Sequence, residues 1–390
     1  PILATYQHDR ATSRSRMYDF FVRSLLSPLW EGVEFGYRRI REGLRRVILR
    51  YVLCCCALLL IQTAHSHHSS VGIYDEQNLV EIEGVVTSLR WRNPHPTFTV
   101  EVEDENGESV EWEIETGSVS TLRLRGVERG FFAVGAQVRL AGQSSLRGVP
   151  EMFAQNMLLD DGREVLLRAV SKPYWPAGLQ GILYERTANE TRAQEGRRTA
   201  EGIFRVWSPI FHDPEAYPLY GAGDYPLTDA AQVLKTRWDP RSSPYSECTA
   251  KPMPYIMGSA YPIKFETRGD DLLIRIEEFD LERLIHIGEP STSMPNNHSP
   301  LGYSQGRWEG ETLIVETERI EGAILYGDGT PTSNAIQLVE EFSMNEAQDR
   351  LNYRVTVTDP ETFTETLNFT RYWVWQPDIQ LQPYDCGNQL

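Results

Sequence analysis

The sequence predicts a mainly β protein built from two barrels, a small one followed by a larger one. Three observations predict this: many short segments alternate apolar and polar residues, turn residues separate them at regular intervals, and few segments have the pattern and caps of a helix. The apolar fraction of 41% and the mean hydropathy of −0.41 are typical of globular chains and exclude a polytopic membrane protein. The 390 residues allow two or three domains.

Residues 1–66 are predicted to direct export. An arginine-rich segment, 38–50, precedes an apolar run from Tyr51 to Ile61, which is too short to span a bilayer but typical of a signal peptide. Ala64-His65-Ser66 then places small residues at −3 and −1 of a cleavage site, so that His67 becomes the mature N-terminus. Cleavage after Ala64 and an uncleaved anchor are the alternatives. We expect a periplasmic or secreted bacterial protein, without stable membrane insertion after cleavage.

Cysteine usage agrees with export. Cys54, Cys55 and Cys56 lie within the apolar run, so the mature chain keeps only Cys248 and Cys386. Two cysteines in an oxidising compartment predict a disulfide between them. That bridge would close most of the C-terminal half and stabilise it by about 4–5 kcal/mol through loop entropy. Two buried free thiols are the alternative.

The charge balance argues against one class of partner. The chain has 55 acidic and 38 basic residues and a formal charge of −17. Residues 1–66 hold 10 arginines and 5 acidic residues, so their removal leaves −22. Because nucleic-acid binding requires a basic surface, we expect no nucleic-acid partner. The same charge repels anionic lipid.

Residues 67–169 are predicted to form an OB-like β domain. Period-two strands are expected over 79–86, 97–102, 110–114, 137–141 and 152–159. Asp104-Glu105-Asn106-Gly107 gives a hairpin turn, and Ser118 to Arg125 predicts a short helix that Ser118 caps and Gly126 ends. Five short strands and one helix favour an OB-like barrel, with a strand-rich sandwich as the alternative.

Residues 170–203 show no alternation of apolar and polar residues and are rich in Pro, Gly, Arg, Thr and Glu, which predicts a linker. Residues 204–390 follow as a second domain, with one helix from Thr228 to Trp238. Strands are expected over 262–268, 271–279, 281–287, 312–319, 335–344, 350–358, 365–375 and 379–384. Eight antiparallel strands at regular spacing favour a lipocalin-like barrel.

One motif matches a catalytic signature in the wrong context. Residues 302–306, Gly-Tyr-Ser-Gln-Gly, fit the G-x-S-x-G nucleophile elbow of α/β-hydrolases, which needs a strand before it and a helix after it. Here a Pro/Asn loop precedes and a strand follows. The last histidine, His298, also comes before Ser304, so no later histidine can act as the base. We interpret the segment as a turn and assign no catalytic residue.

Three histidines form a candidate metal site. With His67 at the N-terminus, its α-amino group and imidazole would chelate one metal, and His68 follows directly. His95 lies between two prolines in Trp91-Arg92-Asn93-Pro94-His95-Pro96, which presents it outward between strands. Nitrogen ligands of this kind suit copper. The alternative is a disordered tail at His67 and His68 and a turn-capping His95.

Polar residues also interrupt a predicted barrel interior. One face of strand 365–375 carries Arg371, Trp373 and Trp375, and the apolar face of strand 335–344 includes Glu340. An inward Glu and Arg are costly unless paired, so a structural ion pair is the favoured interpretation. The functional alternative is a ligand cavity with Arg371 as an anion contact and the tryptophans as walls.

The N-terminal β domain resembles a family of exported bacterial proteins of unknown function. Members typically show A-H-H-S after the signal peptide, then W-x-N-P-H, then W-x-x-E-x-G-S. These motifs stand here as Ser66-His67-His68-Ser69, Trp91 to His95 and Trp112 to Ser118. Val134, Gly135 and Val138 and the pair Asp161-Gly162 also fit. The resemblance covers residues 67–166, departs from the pattern at Ser66, and implies export but no reaction.

The C-terminal half resembles a second uncharacterised secreted family. That family is marked by G-x-S-x-G-R-W-E-G-[DE]-T-L, which stands here as Gly302 to Leu313, and by paired cysteines like Cys248 and Cys386. The resemblance implies a β protein and no known activity.

Taken together, the sequence favours an exported binding protein for an unknown small ligand, with copper as a candidate cofactor. A copper-dependent periplasmic enzyme, in which the barrel holds substrate near the metal, is the first alternative. A structural or assembly module is the second.

Overall fold

The fold is mainly β, as the sequence predicts. The computed structural model describes residues 73–104, 106–176, 186–221, 223–239, 243–246, 249–288 and 296–385. The first sheet, which we call the OB-like sheet, contains β1 Tyr74–Arg90, β2 Thr97–Glu103, β3 Ser109–Glu115, β4 Gln137–Ser145, β5 Glu151–Leu159 and β6 Glu164–Leu166. Helix α1, Val119–Leu124, connects β3 to β4.

Five strands of this sheet close into a ring. β1 pairs with β2 and β4, β2 pairs with β3, and β4 pairs with β5, all antiparallel. A parallel pairing between β3 and β5 completes the circle, and β6 extends the sheet from β5. Phe98, Ile114, Leu122 and Met152 fill the enclosed core. Five strands with one helix between the third and fourth confirm the OB-like prediction.

Helix α1 forms where its sequence caps it. Ser118 Oγ accepts a hydrogen bond from Thr121 N at 3.0 Å, which pairs an N–H that the helix itself leaves open. Gly126 follows the helix at a φ of +80°, a conformation that glycine adopts without steric cost. The buried face contributes Leu122 to the core, so α1 is fixed to the ring.

The second sheet, which we call the barrel, closes on itself. Its strands are β7 Val206–Ser208, β8 Ile263–Arg268, β9 Asp271–Ile276, β10 Leu281–Ile287, β11 Tyr303–Glu309, β12 Thr312–Glu318, β13 Gln337–Met344, β14 Arg350–Thr358 and β15 Leu367–Trp375. β10 pairs in parallel with β11, and the other neighbours are antiparallel. Helix α2, Glu190–Thr199, precedes β7, and helix α3, Asp229–Thr236, lies between β7 and β8.

The segment predicted as a linker contains a helix, although its role as a linker stays a prediction, and the last predicted strand is absent. Residues 170–203 contain α2, whose Asn189 cap accepts a hydrogen bond from Arg192 N at 3.0 Å. The helix is polar on almost all sides, so it lacks the apolar stripe that identifies a helix from sequence. Residues 379–384 form no strand, and Tyr384 makes an isolated bridge with Asn93 instead.

The Gly-x-Ser-x-Gly segment is also different from the prediction, because it forms most of strand β11 rather than a turn. Gly302 has a φ of +69° and directly precedes the strand. A Cβ at Gly306 would lie 2.7 Å from the Ile285 side chain, so this glycine allows β10 and β11 to approach closely. Ser304 is buried inside the barrel, which removes it as an exposed nucleophile.

Each sheet encloses its own hydrophobic core, and both belong to one compact unit, residues 65–390. The domain boundaries at 169 and 203 stay a prediction. Within the part of the chain that the structure describes, no helix combines the length and apolar character needed to cross a membrane.

A buried ion pair lies at the centre of the barrel. Arg283 donates to Glu340 through Nη1, 2.9 Å from Oε1, and also through Nη2. Tyr353 Oη donates to Glu340 at 2.9 Å, and Thr317 Oγ1 donates to it at 3.2 Å. Arg283 Nε donates to Ser304 Oγ at 3.2 Å. Both charges are almost fully buried, so their mutual attraction and these hydrogen bonds must offset a large desolvation cost.

We therefore expect Arg283→Ala to lower the free energy of unfolding by about 3–5 kcal/mol, because it leaves Glu340 buried without its cation. The double variant Arg283→Met/Glu340→Leu should recover at least half of that loss, since it removes both charges. Urea denaturation measures both. Arg268→Ala, which breaks an exposed pair with Glu282, is the control and should cost less than about 1 kcal/mol. An equal decrease in the free energy of unfolding in the single and the double variant would contradict this explanation.

Candidate functional site

A cavity of about 250 Å³ lies where the OB-like sheet meets the segments that lead into the barrel. We call it the junction pocket. Its basic lining residues are His95, Arg168 and Lys251, and its carbocyclic rings are Phe153, Tyr217, Tyr245, Tyr255 and Tyr261. Ser118, Thr121 and Ser243 add hydroxyl groups. The pocket therefore combines positive charge, hydrogen-bonding groups and aromatic surface.

His95 is held by the loop that joins β1 to β2. The buried Asn93 accepts a hydrogen bond from Val119 N at 3.0 Å and donates to Glu277 at 2.9 Å, which fixes the loop against both α1 and the barrel. Tyr261 Oη donates to Pro94 O at 3.3 Å. His95 Nδ1 lies 2.6 Å from Thr116 O. An Nδ1–H that donates to this carbonyl leaves Nε2 as the atom for other partners.

A carboxylate lies behind this imidazole. Glu115 Oε1 is 3.7 Å from His95 Nε2, and Tyr74 Oη donates to Glu115 Oε2 at 3.0 Å. Burial raises the pKa of Glu115, against the opposing effects of His95 and the Tyr74 hydrogen bond. Phe153 packs on both Tyr74 and His95, with ring centroids 5.4 and 5.8 Å apart. The His95 ring is therefore fixed from several sides.

Lys251 supplies a cation from the barrel side. Its Nζ lies 2.6 Å from Glu278 Oε1 and 5.0 Å from the centre of the Tyr255 ring. Burial alone would lower the pKa of Lys251, but the Glu278 carboxylate outweighs burial and raises it above the ordinary value. Lys251 therefore stays charged at neutral pH.

Arg168 supplies a cation from the OB-like side. Its guanidinium lies over the Phe153 ring, 4.2 Å from the centroid, and its Nη1 donates to Gln143 Oε1 at 3.0 Å. Arg168 lies in a bend, two residues after the end of β6. A fixed guanidinium presents several N–H donors to an anion.

The charge of the lining is opposite to that of the protein. None of the described lining residues is acidic, although the whole chain has 55 acidic and 38 basic residues. The tyrosines do not add negative charge, because burial raises the pKa of Tyr217, Tyr255 and Tyr261. Their hydroxyl groups remain protonated donors at neutral pH.

A turn between β9 and β10 holds both walls of the pocket. Glu277 accepts hydrogen bonds from Asn93 at 2.9 Å, from Ser120 Oγ, and from Gln382 N at 2.9 Å. No described Lys, Arg or His lies within ion-pair distance of its carboxylate. Burial therefore raises the pKa of Glu277 to about 7, although the three hydrogen bonds lower it.

Glu340 and Arg371, which the sequence analysis placed in one predicted barrel site, have different partners in the structure. Glu340 pairs with Arg283 and not with Arg371. Arg371 Nη1 donates to Met257 O at 3.0 Å and to Ser259 O at 3.1 Å. Burial lowers the pKa of Arg371 to about 10. A structural ion pair is present at Glu340, but its partner is different from the one the sequence indicated.

The predicted aromatic walls pack against cations. Trp373 is buried, and the Arg371 guanidinium lies 4.3 Å from the centre of its ring. Trp375 is half-buried, with the Arg205 guanidinium 4.3 Å from its ring centre. A ligand-binding role for Glu340, Arg371, Trp373 and Trp375 stays a prediction, and none of the four lines the junction pocket.

Several predicted residues lie outside the described part of the chain, namely His67, His68, Cys248 and Cys386. The disulfide and the N-terminal part of the metal site therefore stay predictions. Among the described residues, no three His, Cys, Asp or Glu side chains form a group that could hold a metal.

Arg168, Lys251 and the tyrosines of the pocket were not predicted from the sequence. His95 was predicted, and the two segments Trp91 to His95 and Trp112 to Ser118 both reach the pocket. These two motifs were the part of the sequence that could have indicated the pocket, because His95 and Ser118 line the same cavity. Lys251 and Tyr255 come from a Pro-rich stretch without periodicity, which gave no indication of where they would lie.

Residues 56–150 match the sequence model of a family of unknown function (DUF6152). The match confirms the resemblance to an uncharacterised family over the N-terminal β domain, although it begins earlier and ends earlier than residues 67–166. It includes His95, Glu115 and Ser118 but not Arg168 or Lys251. No curated protein matches the chain. The second resemblance, in the C-terminal half, stays a prediction.

The raised pKa of Glu277 predicts a pH dependence of stability. Between the ordinary pKa of 4.5 and about 7, the folded protein holds a proton that the unfolded chain has lost, so stability falls as pH rises through this window. The loss from this group is up to about 3 kcal/mol. Glu277→Gln should flatten the slope of unfolding free energy against pH between 4.5 and 7.

Urea denaturation at half-unit pH intervals measures this slope. Glu103→Gln, at an exposed position of β2, is the matched control and should keep the slope of the wild type. Glu115 contributes in the same direction in all three proteins, so the comparison isolates Glu277. An unchanged slope in Glu277→Gln would show that Glu277 titrates normally.

Proposed function

We propose that this is an exported protein that binds a small organic anion in the junction pocket. The observation that carries the proposal is the lining itself, which contains Arg168, Lys251 and His95 and, among the described residues, no acidic side chain. Export rests on the sequence features of residues 1–66. Binding is favoured over catalysis because the lining supplies recognition chemistry: cations, protonated hydroxyl groups and rings.

The two permanent cations come from different parts of the fold. Arg168 follows the OB-like sheet, and Lys251 precedes the barrel strand β8. An anion between them contacts both parts at once, so binding would also stabilise the junction. The hydroxyl groups of Ser118 and Thr121 stand beside the N-terminus of α1 and add donors to the same cavity.

The negative charge of the whole protein does not prevent this function. At physiological ionic strength, exposed charges are screened beyond about 8 Å. A ligand inside the pocket therefore interacts mainly with the lining, where Arg168 and Lys251 are close. The net charge is expected to slow the approach of an anion at low salt and to have little effect on the bound state.

The proposal predicts charge-dependent binding. Butyrate, succinate, benzoate and phenyl phosphate, each compared with a neutral amide or alcohol of similar shape, are the probes for isothermal titration. At least one acid should bind about tenfold more tightly than its neutral counterpart, because charge-assisted hydrogen bonds are stronger than neutral ones. Arg168→Gln should remove most of that difference.

Arg129→Gln is the matched control, since Arg129 is exposed and lies outside the junction pocket. It should bind like the wild type. Lys251→Gln provides a second test if Arg168→Gln does not fold. Equal affinity for acids and neutral counterparts, no binding of any probe, or equal losses in Arg129→Gln and Arg168→Gln would each contradict the proposal.

A second candidate function is copper binding. One observation favours it: the contact of His95 Nδ1 with Thr116 O at 2.6 Å is typical of an imidazole that is oriented to ligate a metal through Nε2. The other ligands would be the N-terminal amine and side chain of His67, with His68 beside it. The copper-dependent enzyme of the sequence analysis would use this same site.

Copper binding predicts a metal content that depends on His95. Protein exported with its own signal should begin at His67 and hold about one copper per chain by elemental analysis. His95→Ala should reduce the copper content at equal loading, whereas His298→Ala, at an exposed position, should not. No copper after loading and dialysis, or equal copper in His95→Ala, would exclude His95 as a ligand.

A further inference from the structure

We infer that the ligand is a small aromatic acid. This inference rests on the proposed anion-binding function and deepens it by naming the chemical class of the ligand. The evidence is the arrangement of rings in the lining, their positions relative to the cations, and the size of the cavity.

Aromatic rings line the junction pocket from both sides. Phe153 belongs to β5 of the OB-like sheet, whereas Tyr217, Tyr245, Tyr255 and Tyr261 come from the segments around the barrel. A ligand ring in the cavity would therefore meet aromatic side chains from both parts of the lining. Aromatic pairs are favourable at centroid distances of about 4.5–7 Å, beyond the effect of buried area alone.

Two tyrosine rings of the lining already pack edge to face, because Tyr245 and Tyr255 have centroids 6.0 Å apart at 84°. A saturated ring or an alkyl chain fills the same volume but lacks the quadrupole that these faces and edges attract.

The cations lie directly beside the rings. Arg168 is 4.2 Å from the centre of Phe153, and Lys251 is 5.0 Å from the centre of Tyr255. Charge and aromatic surface are therefore neighbours on each wall. A ligand that meets both at once must carry its carboxylate on its ring or within one or two bonds of it.

The cavity size favours a ligand smaller than a drug-sized molecule. Drug-sized ligands occupy pockets of roughly 300–1,000 Å³, and the junction pocket measures about 250 Å³. Hydroxyl groups on the ligand ring would also be accommodated, because the buried tyrosines stay protonated and can donate to them.

Three probes test the inference by titration calorimetry: benzoate, cyclohexanecarboxylate and benzamide. We expect benzoate to bind about tenfold more tightly than cyclohexanecarboxylate, since ring contacts on two walls are lost in the saturated acid. Benzamide should bind at least tenfold more weakly than benzoate, because it lacks the negative charge.

Two variants locate the ring contact. Phe153→Leu should weaken the binding of benzoate several-fold and leave the affinity for cyclohexanecarboxylate unchanged. A general loss of structure would weaken the binding of both acids. Tyr255→Leu gives the same test on the other wall if Phe153→Leu fails to fold. Trp308→Leu is the control, because Trp308 is an exposed ring outside the pocket, and it should bind both acids like the wild type.

The outcomes separate the two proposals. Equal affinity for benzoate and cyclohexanecarboxylate would overturn the aromatic class and leave anion binding intact. Equal affinity for benzoate and benzamide, or no binding of either acid, would overturn anion binding as well.

Discussion

The turn Glu277-Glu278-Phe279-Asp280 connects the two sheets, chiefly through the buried carboxylates of Glu277 and Glu278. Glu277 holds the loop of His95 and helix α1, Glu278 holds Lys251, and Asp280 accepts a hydrogen bond from Tyr384 N at 3.1 Å. Phe279 and Asp280 adopt positive φ angles of 64° and 49°, which are unfavourable for residues other than glycine. Such strain persists only where the surroundings impose it, and here consecutive side chains of the turn are fixed by different segments.

The interior of the barrel explains why the junction is the better candidate site. Arg283 and Glu340 satisfy one another with help from Tyr353, Thr317 and Ser304, so the polar groups at the centre of the barrel are engaged in a closed network. A ligand there would have to replace hydrogen bonds that are already made. In the junction pocket Lys251 is paired with Glu278 and Arg168 with Gln143, but neither of these partners belongs to the lining of the cavity.

The sequence predicted what depends on local pattern. Period-two alternation located most strands, and Ser118 and Gly126 bounded α1, because these signals act over a few residues. Strand β11 was missed because glycine at 302 and 306 indicates a turn locally, whereas the need for close approach to Ile285 comes from another strand. The pocket was only partly predictable: His95 was identified, but Arg168 and Lys251 become neighbours of His95 only through the contacts between the sheets.

Two adjacent carboxylates of one turn hold both walls of the pocket. Glu277 and Glu278 are neighbours, yet one fixes the wall that carries His95 and the other fixes the cation of the opposite wall. A movement of the turn therefore changes both walls together. Burial raises the pKa of Glu277 to about 7, and the same carboxylate accepts the hydrogen bond from Asn93. The proton on Glu277 and the position of the His95 loop therefore depend on the same contact.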